Sequence, residues 1–274
     1  MISIFSWLKS VARFFTFIFL FGSPSVWAGY EVGNGGDAVV CGTQTVLLDL
    51  DEAKTPLQVS FPEVDDVFMR SFEIINSWRG LDPVRVSKWL EELHYLDLRT
   101  YWVPKGMNLV NVADEGPVML RNGCGLEQVA VQSTDPETDS YRYHISSDLW
   151  GRFDADSKTA LLIHEILYKD LLDSRPGSHS HRVRPFVRTI LGLPPHKISL
   201  EEYLETLRKM GFLYYAFHES FFRDLFVDLS KPFVVSENGL QEAQVWKSLE
   251  DRTPYKMIRK KQGSQFVVEL TPVH

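Results

Sequence analysis

The sequence predicts an α+β fold, on three observations. Helical and strand-like segments are segregated along the chain rather than strictly alternating. Period-two apolar runs bounded by turn residues cluster between about residues 98 and 146. From about residue 156 the apolar spacing becomes helical, and a last pair of strand-like runs follows at the C-terminus. The expected order is an N-terminal strand and two helices, central antiparallel strands, a helical half, and a C-terminal hairpin.

In chain order, residues 38–49 are rich in Val, Leu and Thr and read as one strand, fed by the turn Gly33-Asn34-Gly35-Gly36-Asp37. That turn could also form a backbone nest for an anion. No helix start and no Lys-Ser/Thr pair follows it, which favours a turn feeding the strand over a phosphate loop. Ser60 and Glu63 form a capping box for a helix with Val64, Val67, Phe68, Phe72, Ile75 and Trp78 on its apolar face. Asp82-Pro83 starts a second helix that buries Val86, Trp89, Leu90 and Leu93. Strands are expected at 107–113, 126–132 and 141–146, and helices at 156–173, 183–191, 199–210 and 213–228. Residues 255–261 and 265–270 flank Gln262-Gly263-Ser264 and read as the final hairpin.

Residues 1–28 have the layout of a secretory signal. Lys9 and Arg13 supply the positive end, Phe14 to Phe21 the apolar stretch, and Val26-Trp27-Ala28 the cleavage site. The apolar run falls short of the roughly 20 residues of a membrane span, which favours cleavage over a retained anchor. Cleavage after Ala28 leaves a single α+β domain of residues 29–274, with a helical subdomain from about residue 193 as a further division. The chain would then be exported, to the periplasm or outside the cell, without a stable membrane span.

The 274 residues carry 29 Lys+Arg against 36 Asp+Glu, a net charge of −7. Removing Lys9 and Arg13, and no acid, takes it to −9. That balance argues against a nucleic-acid partner, which demands a dense cationic surface. Export also gives the two cysteines a context. An oxidising compartment favours a Cys41–Cys124 disulfide over two buried thiols or a metal pair, since neither cysteine has a CxxC neighbour or a nearby histidine.

The chemically suggestive segment runs from residue 141 to 175. Its helix is apolar almost all round (Leu161, Leu162, Ile163, Ile166, Leu167, Leu171, Leu172) and is therefore expected to be buried. His164 and Glu165 in its middle need either hydrogen-bond partners or a metal.

With Leu161-Leu162-Ile163-His164-Glu165 after a strand, this helix is similar to the active-site helix of zincin metallopeptidases. That resemblance implies His164 as a zinc ligand and Glu165 as the base acting on metal-bound water. Tyr168 stands where the second histidine belongs, which makes the motif HExxY. A phenol must lose a proton with a pKa of about 10 to bind zinc. His179 and His181, beyond the Pro176-Gly177 turn, are the nearest replacement ligands. Tyr168 or an arginine would then stabilise the oxyanion. The rival reading is a buried structural pair, with Glu165 meeting Arg182, Arg184 or Arg188, and with His179 and His181 as solvated loop residues.

GNGGDAVVC after a signal-like stretch, followed by LLDL, LLIHE and VRPFVRTIL, resembles a set of uncharacterised exported proteins of predatory bacteria. The resemblance implies export and supplies no activity. Three functions compete: a non-catalytic or degenerate relative of zincin-like metallohydrolases, an active metal-dependent peptidase or hydrolase using His164 and Glu165 on envelope or peptide substrates, and a partner-binding module using the aromatic segment 212–226. The oligomeric state is not legible in the sequence.

Overall fold

The computed structural model describes residues 30–52, 62–109, 118–134, 141–216, 225–236, 239–247, 252–262 and 265–273. The signal-like residues 1–28 lie outside them. Among the described residues no helix is long and apolar enough to cross a membrane.

The fold is α+β, as the segregated pattern implied. Strand β1 (Tyr30–Asn34) leads into the hairpin β2 (Asp37–Cys41) and β3 (Gln44–Leu47), then the short helix α1 (Leu48–Asp51). Helices α2 (Val67–Ser77) and α3 (Pro83–Arg99) precede strands β4 (Thr100–Val103), β5 (Gly125–Gln128), β6 (Ala130–Thr134) and β7 (Tyr141–Ser146). Helix α4 (Ser147–Arg152) is followed by α5 (Ala155–Ser174), α6 (Arg184–Gly192) and α7 (Leu200–Met210). The C-terminal strands are β8 (Tyr214–Ala216), β9 (Leu225–Val227), β10 (Val234–Ser236), β11 (Gly239–Trp246), β12 (Tyr255–Gln262) and β13 (Gln265–Pro272).

The described residues form three sheets. One has the order β1-β6-β7-β4, antiparallel except for the parallel β7–β4 pair. The second is β3-β2-β5, antiparallel throughout. The third runs β13-β12-β11-β9-β8, with β10 beside β11. Helix α5 is the axis of the helical part. It packs on α2, α3, α6 and β3, and most of its residues are buried. A helix covered on every side can be apolar on every side, which is what its sequence shows.

Several local expectations are corrected. Residues 38–49 form a hairpin and a helical turn instead of one strand, because Gly42 takes a positive φ of 61° and lets the chain reverse. Helix α2 begins at Val67 rather than at Ser60, because the Asp66 carboxylate accepts the Met69 N–H and caps it there. The strand expected at 126–132 is divided. Val129 donates its N–H to the Gly36 carbonyl, and its own carbonyl accepts the Ser146 N–H, so the chain changes sheets at that residue. Residues 107–109 are not strand, and 110–113 lie outside the described residues.

The largest correction falls on 213–228. No helix forms in its described part. Tyr214–Ala216 and Leu225–Val227 pair as antiparallel strands, so sheet replaces the helix expected there. The helix ends at Gly211, whose φ of 89° gives a left-handed cap. The bulky aromatics after it suit strand better than helix. Phe212, Tyr214, Tyr215, Leu225 and Val227 are buried, so these aromatic and apolar side chains do not form an exposed patch. Residues 217–224 lie outside the described residues.

Cys41 and Cys124 form the expected disulfide between the end of β2 and the residue preceding β5, with a sequence separation of 83. Closing a loop of that length removes considerable chain entropy from the unfolded state. The double variant Cys41→Ser/Cys124→Ser is expected to lose about 3 to 4 kcal/mol of stability. Urea unfolding, compared with the oxidised parent, measures this. A loss below about 1 kcal/mol would show that the unfolded state does not exploit the released freedom.

Candidate functional site

Helix α5 is capped by Asp154, whose carboxylate accepts the Ser157 N–H at 2.7 Å. From its middle four polar side chains leave toward different neighbours: His164, Glu165, Tyr168 and Asp170.

Glu165 is fully buried. Its Oε1 accepts the Gly36 N–H at 2.7 Å, and its Oε2 accepts Gln132 Nε2–H at 2.7 Å. Gln132 Nε2 also donates to the Glu165 backbone carbonyl at 2.8 Å, and the Tyr141 hydroxyl donates to Gln132 Oε1 at 2.9 Å. The double glycine is required by this approach. A Cβ on Gly35 would lie 2.8 Å from Glu165 Oε1 and 2.7 Å from the Ala130 carbonyl oxygen, and one on Gly36 would lie 2.4 Å from Leu161 Cδ1. The anion that this glycine turn receives is the protein's own carboxylate. Burial raises the Glu165 pKa, opposed by His164, Gln132 and the Gly36 amide.

His164 is also buried, and its Nδ1 meets Asp49 Oδ2 at 3.0 Å. Burial works to lower its pKa, but the Asp49 carboxylate prevails and the net shift is upward. Among the described residues, neither His164 Nε2 nor Asp49 Oδ1, both buried, has a hydrogen-bond partner. Tyr168 lies on the same helix face, with ring centroids 6.3 Å apart, and its hydroxyl donates to the Ser178 carbonyl at 2.9 Å. The chain does therefore return to α5 after Pro176-Gly177. His179 and His181 stack on each other, with centroids 5.9 Å apart, half-buried at the turn around Ser180.

Among the described residues His164 has the setting of a metal-bound imidazole, a carboxylate behind Nδ1 and an uncommitted Nε2. The remaining donors do not fit a hydrolytic zinc. Both Glu165 oxygens are bound inside the core, and Tyr168 keeps its proton to reach a carbonyl. Among the described residues no group of three or more His, Cys, Asp or Glu side chains is placed to hold a metal ion. The arginine expected for Glu165 is placed elsewhere. Arg184 contacts Glu52 at 3.1 Å and Asp37 at 3.8 Å, and Arg188 contacts Glu52 at 3.1 Å. A buried carboxylate has no demand for guanidinium once a backbone amide and a side-chain amide satisfy it.

Sequence reasoning missed Asp49, Gln132 and a second buried cluster one turn further along α5. There Arg85, fully buried, joins Asp82 at 3.0 Å, the Asp170 carboxylate and the Leu213 carbonyl. Trp89 Nε1 donates to Asp170 at 3.0 Å, and the Tyr203 hydroxyl donates to Asp82 at 3.1 Å. Burial raises the Asp82 pKa despite Arg85. Asp82 was legible as a helix cap, but its second use was not. Arg85 stands one residue before the apolar stripe, and nothing in its spacing distinguishes it from a solvated arginine.

Two outcomes are expected from the α5 network. Glu165→Ala strands the Gly36 amide and the Gln132 carboxamide in the core and should cost about 3 kcal/mol or more. Equilibrium unfolding reads it, and a loss under about 1 kcal/mol would mean that the core rehydrates there. The second outcome concerns pH. The folded pKa values of His164 and Glu165 both lie above their ordinary values of 6.5 and 4.5. Protons on such groups stabilise the fold fully below the ordinary pKa, and that stabilisation is lost as pH rises through the folded value. Unfolding free energy should therefore fall as pH rises, above 4.5 through Glu165 and above 6.5 through His164, and His164→Gln should flatten the part of the decline above 6.5. An unchanged slope in His164→Gln would assign the effect to other groups.

No protein-family model, no curated protein and no solved structure matches this chain.

Proposed function

We propose that this chain is an exported bacterial protein, periplasmic or secreted, in which a zincin-like helix serves as a structural axis without catalysing hydrolysis. The observation that carries this reading is the double commitment of Glu165, with one oxygen on the Gly36 amide and the other on the Gln132 carboxamide. A general base must turn a lone pair toward water bound at the reaction centre. Here both carboxylate oxygens are engaged in a fully buried side chain. Export is supported by the signal-like residues 1–28 and by the Cys41–Cys124 disulfide, which persists in oxidising compartments.

One feature favours the alternative of a metal-dependent hydrolase using His164 and Glu165. It is the Asp49-backed imidazole with its uncommitted Nε2.

Metal analysis by mass spectrometry on protein exported from the full-length chain separates the two readings. The structural reading expects zinc well below one ion per chain, the same in His164→Ala. One zinc per chain, lost in His164→Ala while circular dichroism stays unchanged, would overturn it. Sequencing of the exported protein is expected to begin at Gly29, and an N-terminus at Met1 would refute cleavage.

A further inference from the structure

A cleft of about 670 Å³ lies between β5, the turn at 105–109 and helix α4. It is lined by none of the α5 residues, so a function of the cleft is independent of the role of Glu165 or His164. Its long wall is the edge of a sheet. β5 pairs with β2 on one side, and no strand of the described residues pairs with its other side.

The register decides which backbone groups face the cleft. β2 and β3 are joined by the two-residue loop Gly42-Thr43, so Cys41 and Gln44 form the hydrogen-bonded pair that closes the hairpin. Along β2 the direction of the backbone groups alternates: Cys41 and Val39 turn toward β3, Val40 and Ala38 toward β5. Gly125 and Glu127, opposite Val40 and Ala38, therefore spend their backbone groups on β2. Leu126, opposite Val39, turns its N–H and C=O to the open side. The Cα separation of 4.3 Å between Cys41 and Cys124 agrees, being that of a non-hydrogen-bonded pair. The disulfide at this end fixes β5 to β2, so the open edge is held in strand geometry before any partner arrives.

We propose that this edge accepts an extended polypeptide segment as an added strand. A half-buried strand edge with an N–H and a C=O from one residue directed into a cleft of ligand-pocket size is the surface on which β-augmentation operates. The side chains around it make the occupant a peptide of mixed charge. Lys105 and Arg152 line the cleft with no ion-pair partner among the described residues, and Glu127 on the strand itself also has none. Asp148, the remaining charge there, is occupied with the Gly106 amide at 2.6 Å. An extended segment bearing an acidic side chain toward Lys105 and Arg152 and a basic one toward Glu127 complements all three. Its backbone would exchange two hydrogen bonds with Leu126.

The probe is a blocked octapeptide alternating valine with glutamate and lysine, and the readouts are calorimetry and amide hydrogen exchange on the exported, disulfide-bonded protein. In the free protein the Leu126 amide should exchange as an open-edge amide, and saturating peptide should slow it by about tenfold or more. The same peptide, N-methylated at alternate bonds, keeps every charge and should bind about tenfold more weakly or not at all. Leu126→Pro, whose lost N–H is the outward one, should have the same effect while the β2 ladder persists. If that variant does not fold, the N-methylated peptide and the exchange data on the parent protein still decide. A Leu126 amide already protected in the free protein would mean that another segment of the chain holds the edge, and would overturn the proposal. So would the absence of binding at about 1 mM peptide, or binding indifferent to N-methylation, which would indicate charge attraction alone.

Discussion

The carboxylate of Glu165 is the group on which the first half of the structure turns. A charged or polar group of this size is costly to bury, and each of its oxygens must find a donor inside the protein. The two donors come from distant parts of the chain, Gly36 before β2 and Gln132 on β6. One side chain on α5 therefore fixes the N-terminal hairpin and the central sheet against the helix at once. The glycines follow from it, because at 35 and 36 the backbone passes too near α5 and β6 to carry a Cβ.

The same helix repeats this arrangement with different chemistry. His164 reaches Asp49 on α1, Tyr168 reaches the Ser178 carbonyl, and Asp170 reaches Arg85 and Trp89 on α3. Apolar contact gives α5 most of its burial but little orientation, since leucines pack acceptably in several rotations. Directional partners on several sides remove that freedom. The stabilisation from each bond is modest, while breaking one leaves a buried group without a partner, and that asymmetry penalises alternative packings.

This network also governs how the helix reads chemically. A His-Glu pair on a buried helix suits a hydrolytic centre when the glutamate faces water, and suits a structural role when the glutamate faces donors. The difference resides in Gly36 and Gln132, which stand 129 and 33 residues away from Glu165 in sequence. The cleft along β5 has a similar origin. Leu126 presents its backbone outward only because a two-residue loop sets the register of β2 against β3, and that register passes to β5.

What the sequence determined by itself was local. Asp82-Pro83 started a helix where the structure has it, since capping is satisfied within one turn. The all-round apolar character of 161–172 marked α5 as buried, and the two cysteines marked each other. Segregated periodicities fixed the α+β class. Only the tertiary structure decided the rest. The aromatic run after Gly211 has a composition open to helix or strand, and pairing of β8 with β9 settled it in the described residues. Nothing in the sequence set Arg85 and Asp49 apart from solvated charges, and it is packing that encloses them. Whether Glu165 meets water, arginine or an amide depends on contacts between residues far apart in sequence, and periodicity, which reports which side of an element is covered, carries no record of what covers it.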